Sequence, residues 1–286
     1  MKNLKTVFAL LITSFFLFAF SSVNNTEESR IPWKDGLLGR SIMIHIKGTS
    51  SGANSYTFQG HYRNNQKIGK WRLWGRNNKL IAERLYQNDF EYEDVINHTK
   101  VVLNRDENGL YEFPKIEEKD VAVSQRIWKV ISSEQIKKNK ALAAAIKQID
   151  LAEFKAYRSD ELRDTINIHK SKQHIQSLKI MGDWFYDKHR KIATFYILAI
   201  CPIYGAQSKE AWYYYPDIRK KMASIKVKDK YAMIHNLDEL FFLGSYPYII
   251  YKIERLDDKA FEKENYEKVT IETIKYQLTT EALYWQ

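Results

Sequence analysis

Hydrophobic and aromatic positions fall in short runs between polar breaks, and the densest runs lie between Ser177 and Pro216. Ser177–Asp187 and Ile192–Pro202 are rich in β-branched and aromatic residues, while Lys188-His189-Arg190-Lys191 between them cannot enter a core without partners. That pattern predicts a hairpin. A polar break over Gly205–Lys209 then precedes Glu210–Tyr215, the third strand of an antiparallel meander. Pro216 has no N–H for the ladder and ends it, and its fixed φ suits the first position of a helix over Asp217–Ala223.

Nearer the N-terminus, Ser41–Lys47, Ser55–Arg63, Gly69–Gly75 and Leu80–Tyr86 read as short strands, with Gly48–Asn54 and Asn64–Lys67 as loops. Asp89–Lys119 is charged, carries the turn cluster Asn104–Gly109, and reads as a boundary between modules. A helix is predicted from Asp120, because Val123, Ile127, Val130 and Ile131 fall on one helical face. Asn139–Lys147 is a second helix with Leu142, Ala145 and Ile146 as its stripe. Asn236 caps a helix over Leu237–Leu243 that Gly244 ends, and Tyr246–Ile253 has the content of a buried strand. Glu264–Leu283 is helical in pattern, with Ile271, Ile274, Leu278 and Ala282 on one face. The closing Leu283-Tyr284-Trp285 would expose much apolar surface unless docked. The fold class expected is α+β: a small N-terminal antiparallel β module, then a domain with an antiparallel sheet covered by helices.

Phe58-Gln-Gly60-His-Tyr62, the polar turn Asn64-Asn65-Gln66, Gly69-Lys-Trp71 and then Glu83-Arg-Leu85-Tyr86 resemble the MORN-like repeat, in which Gly-x-Tyr, a polar turn and Gly-x-Trp build successive hairpins. Tyr62 and Tyr86 stand 24 residues apart, within the range of one-hairpin repeats. Gln66 departs from the glycine often found in that turn. An aromatic hairpin burying Tyr62, Trp71 and Leu73 or Trp74 gives the same structure. The resemblance implies an adaptor or surface-binding element.

The first residues change the compartment. Met1–Thr6 is basic, Val7–Phe20 is an apolar run of 14 residues, and Ala19-Phe20-Ser21 is a small-x-small site. This is the pattern of a secretory signal peptide over residues 1–21, cleaved at Ser21 and Ser22, and the run is short of the ~20 residues of a spanning helix. Residues 22–40 then form a leader, with structure beginning near Ile31-Pro32-Trp33. Losing Lys2 and Lys5 lowers the formal charge from +10 to +8. Basic runs at Lys137–Lys140, Arg219–Lys221 and Lys226–Lys230 would suggest nucleic acid in the cytosol, but after export they suit acidic partner faces, lipid headgroups or acidic glycan. Cys201 is the single cysteine, so no internal disulfide can form, and its apolar strand predicts an inert buried thiol.

Asp120–Ile131, Asp183-Trp-Phe-Tyr-Asp-Lys188, Ile200-Cys-Pro202, Tyr213-Tyr-Tyr-Pro-Asp-Ile-Arg219 and an aromatic C-terminal helix occur in a familiar order. Together they resemble the GldN/PorN family of gliding-motility and type IX secretion ring subunits, over about residues 120–286, with the MORN-like module at 41–110 ahead of it. Val123-Ser124 departs from the more polar or aromatic pair usual in that family. The resemblance implies a non-enzymatic periplasmic subunit, associated with the inner face of the outer membrane, that docks an outer-membrane ring lipoprotein and the periplasmic part of the motor, with a ring as a possible oligomer. It transfers no catalytic, cofactor or metal residue.

Other chemistry is weakly signalled. His169 and His174 stand five apart beside Lys170 and Lys172, which repel a cation, and Asp187 with His189 reads as a charged cap at a turn. No Gly-x-Ser-x-Gly elbow or phosphate loop occurs, and Glu117-Glu118 and Asp257-Asp258 read as solvated loops. Nucleic-acid binding is not expected, nor a cofactor. The alternatives are a periplasmic module holding a glycan or lipid headgroup on Trp71, Trp74, Trp184 and Trp212, and, further off, a secreted enzyme of unrecognised type.

Overall fold

The computed structural model describes residues 40–46, 56–63, 66–75, 78–168, 174–205, 209–228, 234–254 and 266–285. The signal peptide with Ser21 and Ser22, the leader start at Ile31–Trp33, the loop Gly48–Asn54, the turn Asn64-Asn65, His169 and Asp257-Asp258 lie outside these residues. Among the described residues are two antiparallel sheets, five α-helices and one 3-10 turn (Glu118–Asp120), a mixed α+β architecture.

The first sheet runs in sequence order: β1 (Arg40–Ile46), β2 (Tyr56–Arg63), β3 (Gln66–Trp74), β4 (Leu80–Tyr86), β5 (Tyr92–Asp94) and β6 (Thr99–Val101). Phe58, Trp71, Leu73, Ala82, Tyr86 and Tyr92 alternate onto its inner face as the period of two requires. Leu73, rather than Trp74, is the buried member of that pair. Gly60 is needed here, because a Cβ would stand 2.0 Å from the Trp71 ring. The charged stretch after Tyr86 holds two strands, β5 and β6, that lengthen this sheet. Asn88 shapes the turn into β5, its side-chain oxygen accepting from the N–H groups of Phe90 (2.9 Å) and Glu91 (3.0 Å).

The second sheet has the order β13-β7-β10-β11-β12-β8-β9, with β7 (Val121–Ile131), β8 (Ala156–Tyr157), β9 (Thr165–Ile166), β10 (Ser177–Asp187), β11 (Ile192–Ile203), β12 (Trp212–Tyr214) and β13 (Ile249–Ile253). The meander β10-β11-β12 stands as its centre. At the β10 bulge between Met181 and Gly182, a Cβ on Gly182 would meet the Tyr196 carbonyl at 2.3 Å.

Val121–Ile131 is a strand and not the expected helix. Its residues also alternate: Gln125, Ile127, Lys129 and Ile131 are buried, with Ile127 and Ile131 in cores on one side and Trp128 in the core on the other. With β10 on one edge and β13 on the other, every second residue gains a packed neighbour that a lone helix would lack.

Helices cover one face of this sheet. α1 (Ser133–Lys138) starts at a capping box, Ser132 with Gln135, and α2 (Lys140–Ile146) at Asn139, whose side chain accepts from Leu142 N–H at 3.0 Å. Pro216 sits in the first turn of α3 (Tyr215–Ser224), and Asn236 caps α4 (Leu237–Phe242), which closes at Gly244 with φ +67°. The largest core joins these four helices to Leu178, Ile180, Ile197 and Ile200. Tyr215, Arg219 and Asp238 lock α3 to α4: the Asp238 carboxylate accepts from the Tyr215 hydroxyl at 2.7 Å and from the Arg219 guanidinium at 3.0 and 2.9 Å. α5 (Tyr266–Tyr284) packs beside β13 and ends at Trp285, which is 3 % exposed.

Candidate functional site

The charged tip of the β10–β11 hairpin forms a seam with the first sheet. Asp187, almost wholly buried, turns the chain by accepting from the N–H groups of His189 (2.8 Å) and Arg190 (2.9 Å), so the expected Asp187–His189 cap exists through backbone. The carbonyls this exposes are taken up by the first sheet: Arg84 Nη1 donates to Lys191 O at 2.7 Å and the Tyr92 hydroxyl to Arg190 O at 2.6 Å. Trp285 closes the seam, its ring 4.1 Å from the Arg84 guanidinium carbon and 4.9 Å from the Phe58 ring. The Arg84 charge is thus removed from water but met by a carbonyl and two aromatic faces, Trp285 and Tyr92.

Beside this seam, three charges from different elements meet. Lys67 Nζ on β3 lies 2.7 Å from Glu281 of α5 and 3.6 Å from Asp89. Asp89 Oδ1 also accepts from the Lys67 N–H at 2.9 Å, and Glu281 accepts from the Tyr86 hydroxyl at 3.2 Å. Burial pulls the Lys67 pKa down, but attraction to Glu281, Tyr62 and Asp89 outweighs it and the net direction is up. Asp89 is raised as well, because its own desolvation exceeds the pull of Lys67. Glu281 is the closer of the two partners of Lys67. Gln66 adds a bridge to the C-terminal end of α4, its amide nitrogen donating to Leu243 O while its oxygen accepts from Asp89 N–H at 3.1 Å.

These residues form part of the wall of a cavity of about 120 Å³. From the opposite wall comes Lys129 of β7, 7 % exposed. Its Nζ stands 3.6 Å from the centre of the Phe195 ring and 4.1 Å from that of Tyr248, and among the described residues it has no ion-pair or hydrogen-bond partner. Desolvation lowers its pKa to about 7, opposed only by the field of Asp89. Thr194, also lining the cavity, is 2 % exposed and its hydroxyl makes no hydrogen bond within the protein. The arrangement offers one weakly held positive charge, one idle hydroxyl and aromatic walls. It does not offer a carboxylate free to act as a base, since Asp89 and Glu281 both face Lys67.

Asp187, His189, Gln66, Trp184 and Trp285 are singled out by the sequence, whereas Lys129, Thr194 and Glu281 are not. Of the tryptophans considered as a stacking platform, Trp71, Trp184 and Trp212 are buried in three different cores, and the half-buried Trp74 is covered by Arg72 at 5.9 Å. Cys201 is fully buried and its thiol is pushed up to about 12 by desolvation, which removes it as a nucleophile at neutral pH. His174 is exposed, and among the described residues no group of three or more His, Cys, Asp or Glu is placed to hold a metal. Arg219 leaves the anticipated basic runs for its pair with Asp238, and Lys221 and Lys138 reach Glu153 (3.1 Å) and Glu134 (2.6 Å). Lys137, Lys140, Lys220, Lys226 and Lys228 are exposed. No described helix is long and apolar enough to cross a membrane.

A family model described as "Gliding motility associated protein GldN" matches residues 145–283. The match takes in the meander, α3, α4, β13 and nearly all of α5, and it begins after β7, so Asp120–Ile131 falls outside it. No curated protein matches the chain.

Proposed function

We propose, from the premise that residues 145–283 are a GldN-family domain, that this chain is a non-enzymatic adaptor of the gliding-motility and type IX secretion machinery. The family match carries the reading, and the class it gives is a component of that machinery. Beyond that class, the chain works in the periplasm at the inner face of the outer membrane, and it docks an outer-membrane ring lipoprotein and the periplasmic part of the motor. The domain division proposed with it places residues 41–110 as a MORN-like module and 120–286 as the GldN-like body.

The packing supports an adaptor. The tryptophans of the second sheet are packed away, Trp184 beside Ile127 and Tyr186 in one core and Trp212 beside Trp128 and Met181 in another, and the partly exposed pairs on the latter side are Arg126–Asp183 and Lys179–Glu210, so no row of open rings is offered to a sugar among the described residues. What remains outside is rich in lysine, including Lys137, Lys140, Lys220, Lys226 and Lys228, which would steer docking onto acidic protein faces. Affinity purification of the native chain from cross-linked envelope fractions is expected to recover a ring lipoprotein or the motor's periplasmic domain. Recovery of neither at native expression, or retention of the chain in the cytosol, would overturn the adaptor reading. Strong acrylamide quenching of tryptophan fluorescence would instead favour the glycan-binding alternative, since the buried rings predict weak quenching.

A further inference from the structure

The cavity between the two sheets holds two polar groups that the fold leaves idle. A lysine 7 % exposed and without a carboxylate partner is costly, because burial of an unpaired charge is opposed by the full loss of hydration. The Thr194 hydroxyl, 2 % exposed, has no protein partner either. Both line one cavity whose remaining wall is largely aromatic and aliphatic, including Trp184, Phe195, Tyr248 and Leu278. Native interiors rarely leave buried polar groups unsatisfied, and those that persist call for an unseen partner.

We propose that this cavity is a binding site for a small monocarboxylate with an apolar body, its carboxylate held by the Lys129 ammonium and the Thr194 hydroxyl and its hydrocarbon part enclosed by Trp184, Phe195 and Tyr248. Size limits the ligand. A cavity of about 120 Å³ is somewhat smaller than the ~150 Å³ apolar cavity known to take benzene, so the body is one ring or a short chain. Charge limits it further. The titratable groups lining the cavity besides Lys129 are Tyr62 from β2, Lys67 from β3, Asp89 after β4, Tyr248 before β13 and Glu281 from α5. Lys67 is engaged by Glu281 and Asp89, so Lys129 is the one cation left for a ligand, and the two resident carboxylates would repel a phosphate dianion. One charge with one hydroxyl matches the two oxygens of a carboxylate.

The pH dependence follows from Lys129, whose pKa burial lowers to about 7 in the empty site. A bound carboxylate raises it, so affinity is greatest below pH 7 and falls towards about tenfold per pH unit above it, until the pKa of the occupied site is reached. The probes are benzoate and its neutral isostere benzamide, titrated into the folded chain at pH 6.5 by calorimetry and ligand-observed NMR. Benzoate is expected to bind at least tenfold more tightly than benzamide, and Lys129→Met and Lys129→Gln to remove that preference. Near-UV circular dichroism reports whether each variant keeps its fold. Should both variants unfold, the pH profile of benzoate binding to the unmodified chain decides. Equal affinity for the two probes, no binding of either, a preference retained without Lys129, or a flat profile from pH 6 to 9 would each overturn the proposal.

Discussion

Lys67 and Lys129 reach the same cavity from opposite sheets, 4 % and 7 % exposed, yet they take opposite chemical characters. Lys67 has Glu281 at 2.7 Å and is held protonated, while Lys129 has two aromatic rings and loses its proton near neutrality. Burial is nearly equal, so burial alone does not decide what a lysine does. The partner decides. A carboxylate brought by α5 makes Lys67 a fastening between distant parts of the chain, and the want of one leaves Lys129 with a charge for a ligand to meet.

The largest effect should come from breaking the Lys67 pair. Glu281→Gln leaves Lys67 with only the more distant Asp89, and removing one member of a buried pair costs about 3–5 kcal/mol. Urea denaturation at pH 7 measures it, and a loss below about 1 kcal/mol would show that the cluster does not fasten α5 to the first sheet. The double change Lys67→Met with Glu281→Leu should recover much of the loss, because no charge is then stranded.

Lys129→Met is expected to act in the other direction. In the folded chain the pKa is lowered to about 7, against ~10.4 for an unfolded lysine, so between these values the unfolded state binds more protons and stability rises with pH. The rise approaches about 1.4 kcal/mol per pH unit within that window. The variant should lack this contribution, and its gain over the parent should be largest at pH 7 and below and shrink towards pH 10. Paired denaturation curves from pH 6 to 10 check this, and parallel pH profiles would mean that Lys129 is solvated.

The difference between the two lysines was poorly legible in the sequence, although most of the frame was not. The meander stood out because Lys188–Lys191 interrupts two long apolar runs, and Pro216, Asn236 and Gly244 mark helix ends through local backbone chemistry. The helical period of Val121–Ile131 hides Lys129. Read as a helix, the segment puts Lys129 between apolar positions without consequence, whereas the strand alternation Ile127-x-Lys129-x-Ile131 sets a charge on a buried face. Both periods fit the same residues, and only the neighbours β10 and β13 choose between them. The partners of Lys67 were out of reach for another reason, since Glu281 lies 214 residues further along the chain and no local pattern encodes such a meeting.

Asp89 sharpens the comparison because its field acts on both lysines. Asp89→Asn retains an oxygen able to accept from the Lys67 N–H, and it removes only the 3.6 Å partner, so a cost of about 1–2 kcal/mol is expected, well under that of Glu281→Gln. Asp89 is also the one charge that holds the Lys129 pKa up. Its removal should move the onset of the pH-dependent rise in stability below pH 7, as read from the same denaturation series. An unchanged onset would separate the two lysines electrostatically.

Thr194→Val gives the smallest effect and tests whether the Lys129 side of the cavity is built for a ligand or for the fold. The two side chains are close in shape, and the hydroxyl removed has no protein partner, so its loss avoids a desolvation penalty and should raise stability by up to about 1 kcal/mol. Thermal unfolding of the ligand-free chain measures that gain, and titration of benzoate into the same variant should show weaker binding. Stability and affinity would then move in opposite directions, as expected of a polar group retained for recognition. A loss of stability would instead show that water in the cavity already satisfies the hydroxyl, and the site would be a hydrated part of the seam.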